Sequence, residues 1–282
     1  MFLSRIRQTL TRPLVLLQGL GWKLQRRLFA GQAGVRADRP RRPGRAAFMA
    51  SAWLFGGLAR PVHTAAHAVR SPPGARLLAH TKVVPYGVLG SSNSGTVAAE
   101  PDDRTAFVDP AGLHHIQGGP GGAGGAAGVI YRWLGISTHP SFPEAVRAAI
   151  TAPLQAKFHA YGASGEKKCI HVVGPDFRHG QYTREKAEDE LAMAYFNVFK
   201  EFRASGLQRL RLLPVSGGIF SGPFGGCLPE LTASALDKAF DRLDAETQAW
   251  VLGSHVEMCI YMEDQAPAFR EAFVSPGSAA KL

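Results

Sequence analysis

Two glycine-rich segments carry the clearest chemical signal in this chain. The first, Gly118–Gly128, reads GGPGGAGGAAG, with seven glycines in eleven positions. The second, Ser216–Gly222, reads SGGIFSG. Without a Cβ, a glycine backbone can approach a ligand closely and can turn to positive φ. A loop of this kind that ends on a helix start offers free N–H groups and the positive end of a helix dipole, which suits a phosphate. Neither segment contains Lys or Arg, so recognition here would be by backbone. Neither is a Walker-type GK[ST] loop, nor a GxGxxG followed by an acid at the usual spacing. Two such loops at one sheet edge could clamp a diphosphate; the alternative is that both are plain structural turns. The candidate ligand contacts are Gly122, Gly124, Gly125 and Gly128 in the first loop and Ser216, Gly217, Gly218, Ile219 and Phe220 in the second.

Other reactive residue types are sparse. Cys169, Cys227 and Cys259 are widely spaced with no CxxC pair, which argues against a disulfide framework or a zinc site and for a reducing interior. Cys227 has no basic neighbour in sequence to activate it. His114 and His115 precede the first loop and either face a cleft or are ordinary loop residues. His171 reads as a satisfied strand residue rather than a base. No metal-ligand set is expected.

The elements that must position these residues alternate. Lys82–Leu89, Arg104–Val108, Lys168–Val173, Arg209–Val215 and Val256–Met262 read as strands. Helices are expected at Val129–Leu134, at Pro143–Tyr161 with an interruption at Pro153, at Arg184–Ala204, at Glu230–Leu243 and at Gln265–Phe273. In the third of these, Ala187, Leu191, Tyr195, Val198 and Phe202 share one face, and Thr183 stands where an N-cap would. This order predicts a three-layer α/β/α domain on a mixed, mostly parallel sheet. Ligands of such sheets sit at the carboxyl ends of the strands, where both glycine-rich loops fall.

Composition divides the chain. Its 282 residues are 45% hydrophobic and carry a formal net charge of +10. Residues 1–80 hold 14 Lys and Arg against one acid, Asp38, so the excess belongs to the first quarter and the rest is close to neutral. Residues 1–29 are Arg- and Leu-rich and acid-free, as mitochondrial targeting segments are. Residues 30–80 form a basic, Pro/Arg-rich arm containing the uncharged stretch Ala46–Ala59. At 14 residues that stretch is short for a membrane span, which usually needs about 20. Residues 81–276 form the globular domain, and 277–282 a tail.

Within 81–276 four segments, in order, resemble the macrodomain family, whose α/β/α fold binds ADP-ribose. Phe107–Gly112 (FVDPAG) is similar to the family's IVNAAN. Gly124–Tyr131 (GGAAGVIY) is similar to GGVDGAIH. Cys169–Pro175 (CIHVVGP) is similar to the strand ending in HxVGP, and Leu212–Phe220 (LLPVSGGIF) to LPLISTGIY. The resemblance implies a macrodomain-like fold with ADP-ribose or a related nucleotide as ligand. It would place Phe220 against a ribose, unless that ring packs inward, and Asp109 near a ribose, unless it caps a turn. The family's polar Asn and Asp of the hydrolase forms fall at Gly112 and Ala127, and its adenine-contacting Asp has no counterpart at Gly87–Leu89. The sequence therefore implies no catalytic residue and no required cofactor.

Three functions follow as expectations. The first is a non-catalytic subunit of a mitochondrial assembly, ribosomal, respiratory or ATP-synthase, surrounded by other subunits. Its arm would hold rRNA through residues 30–80, or lipid through Ala46–Ala59. The second is a free ADP-ribose or nucleotide-diphosphate binding module. The third, least favoured, is an ADP-ribosyl hydrolase using Asp109 or His114.

Overall fold

A computed structural model describes residues 73–274. The expected targeting segment, the Ala46–Ala59 stretch and the tail lie outside the described residues. In chain order the elements are α1 (Pro73–His80), β1 (Lys82–Val84), the short pair β2 (Ser91–Ser92) and β3 (Gly95–Thr96), β4 (Thr105–Pro110), α2 (Leu113–Gly118) and α3 (Gly125–Leu134). There follow α4 (Glu144–Ala149), β5 (Ala156–Tyr161), β6 (Lys167–Val172), α5 (Arg184–Ser205), β7 (Arg209–Leu212), α6 (Leu228–Asp241), α7 (Ala245–Leu252), β8 (His255–Cys259) and α8 (Ala266–Val274).

The main sheet has six strands in the order β1-β8-β7-β4-β6-β5. Five run parallel, and β5 pairs antiparallel with β6 at one edge. This is the mixed, mostly parallel α/β architecture expected from the alternation of elements.

Strand period explains why these strands do not read as continuous apolar runs. Successive side chains point to opposite faces, and the registers Val108↔Ile170, Ala106↔Leu210 and Leu210↔Val256 put a largely apolar row on one face, with Lys168 at its end opposite Ala106. The intervening row mixes Phe107 and Cys169 with Asp109 and His171, then Arg211 and Glu257. The second face thus carries buried polar side chains among apolar ones.

The helices form two groups. On one side α5 packs on α6, which also holds α1 and α8; on the other, α3 packs on β4, and α4 packs on β5 and α2. The longest helix, α5, buries Ala187, Leu191, Tyr195, Val198 and Phe202, as its period required. Thr183 caps it by accepting from the Lys186 N–H, and Gly206 ends it in the left-handed conformation. Each such apolar side chain stabilises by about 1.5–3 kcal/mol relative to exposure.

Three expectations are corrected. The expected helix Pro143–Tyr161 ends at Ala149, and Ala156–Tyr161 is the edge strand β5. Its six residues bond to β6 over the whole length, a non-local pairing that overrides the helical spacing. Residues 73–80, assigned to the arm, form α1, which buries Leu77 and Leu78 in the common core, so the packed domain begins before residue 81. The strand Lys82–Leu89 is only three residues long, after which the chain turns. Helix α7 had no expected counterpart; Asp244 caps it by accepting from the Thr247 N–H at 2.8 Å.

Candidate functional site

Strands β4 and β7 are parallel neighbours, so α2, which leads into the first glycine-rich loop, and the second loop both follow strands that end at the same edge. The first runs from α2 into α3, whose helix starts at Gly125 inside the loop. The second follows β7 through Leu213–Val215 and passes by a 3-10 turn (Gly222–Cys227) into α6.

The structure sorts the candidate residues into two roles. Some build the loops. Gly128 is buried, and a Cβ there would stand 2.2 Å from the Ala123 carbonyl oxygen, so only glycine lets the loop fold onto α3. Gly217 is crowded by Pro214 and Leu228. Ser216 adopts φ +60, strained for a residue with a Cβ, and its Oγ donates to the Pro175 carbonyl at 2.6 Å. That bond ties the second loop to the segment after β6, where Gly174 leaves no room for a side chain: a Cβ would meet Ser216 Oγ at 2.4 Å. From below, the Tyr195 hydroxyl of α5 donates to the Leu213 carbonyl at 3.0 Å and accepts from the Val215 N–H at 2.9 Å.

Others face open space. A Cβ added at Gly122, Gly124, Gly125 or Gly218 would meet nothing within 4 Å. The N–H groups of Gly122, Gly124 and Gly125, and of Gly218, Ile219 and Phe220, donate to no backbone carbonyl outside the helices and strands. Ile219 is 74% exposed and Phe220 half-buried. These six positions are donors or small surfaces aimed at solvent, which is what a backbone anion cradle requires.

The tertiary fold adds residues that sequence reasoning missed. Arg178, from the loop after β6, lies with its guanidinium 4.6 Å from the centre of the Phe220 ring. Asp176 holds it in two-point fashion, accepting from Nε at 2.9 Å and from Nη2 at 2.7 Å. These bonds keep the Asp176 carboxyl below the usual carboxylate range. His114 is exposed, stacks against His115 with ring centres 4.0 Å apart, and occupies the space beside Gly112. A Cβ at Gly112 would meet His114 Cε1 at 2.9 Å. Partial desolvation, then the nearby His115 and Arg178, hold the His114 imidazole below the ordinary histidine value. Tyr261, 52% exposed just beyond β8, lies against Gly87 at the far end of the same edge.

Asp109 is placed elsewhere. It is fully buried, and its Oδ2 accepts from His171 Nδ1 at 2.7 Å. His171 Nε2 in turn lies 2.7 Å from the Tyr161 hydroxyl. With Tyr161 donating to Nε2 this pattern needs only one ring proton. Asp109 therefore braces the end of β4 and does not face the loops, and His171 is the satisfied sheet residue expected of it. Burial pushes the Tyr161 and Tyr131 phenols and the Cys169 thiol up, so all three stay protonated. Ala127 is buried at the start of α3.

Two shallow concavities are present, the first beside the segment that the first glycine loop touches at Gly119. One, of about 480 Å³, is lined by Ile136–Arg147 residues and Tyr161; the other, of about 350 Å³, by Thr105, Arg209, Arg211, His255 and Glu257. Among the described residues no group of three His, Cys, Asp or Glu side chains is arranged to hold a metal ion, and no helix is long and apolar enough to cross a membrane.

No family model and no curated protein matches the chain. Among solved structures it is similar to an Oceanobacillus iheyensis macrodomain with ADP, at 16% identity over 67% of this chain and 87% of that one, with a TM-score of 0.44. It is similar to a Trypanosoma brucei macrodomain in complex with ADP-ribose, at 17% identity over 70% of each chain and a TM-score of 0.44. An alphavirus P23pro-zbd chain matches at 21% identity over 63% of this chain and 24% of that one, with a TM-score of 0.41.

Proposed function

We propose that this chain is a binding module for ADP-ribose or a related nucleotide diphosphate, and that it binds without hydrolysing. The observation that carries this reading is that the two glycine loops follow the neighbouring strands β4 (through α2) and β7, and that the N–H groups of Gly122, Gly124, Gly125 and Gly218–Phe220 donate to no backbone carbonyl outside the helices and strands. The order of macrodomain-like segments in the sequence supports the same ligand class. The diphosphate would lie at the loops, and Phe220 and Tyr261 would offer rings for ribose and base.

Hydrolysis needs a group within hydrogen-bond reach of the attacking water. Gly112 and Ala127 supply none, Asp109 is sealed in the sheet, and the Ser216 hydroxyl of the second loop is engaged with the Pro175 carbonyl. Calorimetric titration with ADP-ribose, ADP and NAD tests the reading: saturable heat with ADP-ribose and no released product over hours is expected. Absence of any binding overturns it, and turnover overturns its non-catalytic half.

The basic arm supports a second, compatible role. Residues 1–80 carry 14 Lys and Arg against a single acid. Such an arm would neutralise phosphates and anchor the module to a polyanion such as rRNA inside a mitochondrial assembly, with an affinity that falls steeply with salt. Retention of the full chain by RNA at low salt, and its loss on deleting residues 30–72, is the expected result; salt-independent retention would exclude it.

A further inference from the structure

At the amino ends of the strands, opposite the glycine loops, the sheet carries a second concentration of charge. Thr105, Arg209 and His255 open β4, β7 and β8, and they lie side by side in register, Thr105 against Arg209 and Arg209 against His255. Two residues further on, Arg211 stands against Glu257 on the same face. These five side chains, with Leu210, line the concavity of about 350 Å³. That size falls within the range of small-molecule sites, about 300–1,000 Å³. Leu210 is the one apolar residue of the lining and is itself buried, so the hollow suits a polar ligand.

The arginines are anchored in place. The Arg211 side chain is only 12% exposed. Its Nε donates to Glu257 Oε2 at 3.0 Å, and its Nη1 donates to the Val88 and Ala99 carbonyls at 3.2 and 3.0 Å. The Tyr86 ring lies 5.5 Å from the guanidinium. Arg209 donates from Nη1 to Asp102 at 3.1 Å. Among the described residues Arg211 Nη2, and Arg209 Nε and Nη2, have no acceptor. A fixed guanidinium with unused donors is the side chain best shaped for phosphate oxygens. The acceptors of the lining are equally defined. Glu257 takes Arg211 Nε, the Tyr86 hydroxyl at 3.1 Å and His255 Nε2 at 3.2 Å, three of its roughly four acceptor sites. Thr105 gives its hydroxyl proton to Asp102 and keeps its lone pairs.

We propose that this hollow is a second ligand site, for a small sugar phosphate. Arg209 and Arg211 take the phosphate, and Glu257 and Thr105 accept from the sugar hydroxyls. The site is separate from the glycine loops and does not depend on what they bind. An ordinary surface ion pair accounts for Arg209 with Asp102, which are 49% and 38% exposed. It does not account for Arg211, which is tied to three partners, lies almost out of solvent and still lines the hollow with an unused nitrogen.

Titration of the full chain with ribose 5-phosphate, read by nuclear magnetic resonance at the Arg211 Nε–H and the His255 ring, tests the proposal. Those local signals report the hollow and not the basic arm. Saturable shifts of both are expected, with inorganic phosphate about tenfold or more weaker for want of hydroxyls. Arg209→Gln removes one half-exposed ion pair while Asp102 keeps Arg104, so the fold should persist. Ribose 5-phosphate affinity should then fall about threefold or more. Arg211→Lys keeps a cation beside Glu257 but loses the planar fork, and affinity, read at His255, should fall about tenfold. If neither probe shifts the two signals in folded wild type, the site is refuted. If the signals shift but both folded variants bind ribose 5-phosphate as wild type does, the arginines are not the phosphate contacts and the proposal falls. If inorganic phosphate binds as tightly as the sugar ester, the sugar half is overturned and a bare phosphate site remains.

Discussion

The Tyr195 hydroxyl accepts from the Val215 N–H at 2.9 Å, so the longest helix of the protein holds the segment that delivers the second glycine loop. The same oxygen donates to Leu213, and Tyr195 is fully buried. Tyr195→Phe keeps the ring packing and removes both bonds. It leaves a buried N–H and a buried carbonyl without that partner, at a cost of about 1–3 kcal/mol. Chemical denaturation should show that loss, and ADP-ribose affinity should fall with it because Val215 precedes Ser216 directly.

The Asp109–His171–Tyr161 chain makes a graded prediction. Asp109→Ala leaves the buried His171 N–H without its charged acceptor, at a cost of about 1.5–3 kcal/mol, whereas losing one neutral hydrogen bond at the end of the chain costs about 0.5–1.5 kcal/mol. Asp109→Ala should therefore destabilise more than Tyr161→Phe in urea unfolding. Equal effects would show that Asp109 and His171 are not coupled as their 2.7 Å bond indicates.

Two glycines separate structure from binding. Gly128→Ala would place a Cβ 2.2 Å from a backbone oxygen and should lower the melting temperature severely. Gly218→Ala meets nothing within 4 Å and has no positive φ, so its stability should change by about 0.5 kcal/mol or less. If the ligand approaches the second loop closely, Gly218→Ala should still weaken ADP-ribose binding by about tenfold or more. The measurement is a thermal scan paired with calorimetry on the same sample.

Glu257 sets an acid limit on stability. Burial pushes its carboxyl up, but the His255 bond, the Arg211 charge and the Tyr86 hydroxyl together outweigh this and hold it below the ordinary glutamate value of 4.5. The same carboxylate, after burial, raises the Tyr86 phenol to about 12. A depressed folded value means that the stabilisation is complete above 4.5 and is lost as pH falls through the folded value. The melting temperature of wild type should exceed that of Glu257→Gln at about pH 6, and the gap should narrow as pH falls below the ordinary glutamate value.

Much of this architecture was legible from local pattern. The 3.6-residue spacing of Leu191, Tyr195, Val198 and Phe202 specifies a buried helix face because each contact lies within the same helix turn or next to it. Thr183 and the glycine runs mark helix start and loops through their own backbone chemistry. The arm's charge, too, is a property of composition alone. What local pattern could not decide is anything made by strand pairing or by the meeting of loops. Ala156–Tyr161 is a strand only because β6 lies beside it. Pro73–His80 belongs to the core because it packs on α6, α7 and α8, with Leu77 and Leu78 buried.

The same division runs through the site. That two glycine loops exist, and that no cation lies inside them, is written in the residues themselves. That Asp109 faces inward to His171, 62 positions away, and that Arg178 comes to rest on Phe220, required the sheet order β7-β4-β6 to bring three strand ends together. Side-chain direction in a strand depends on register, and register is set between chains of residues far apart in sequence. Hence the two glycine loops were readable from the sequence by itself, while the placement of Asp109 and Arg178 was decided by the tertiary structure.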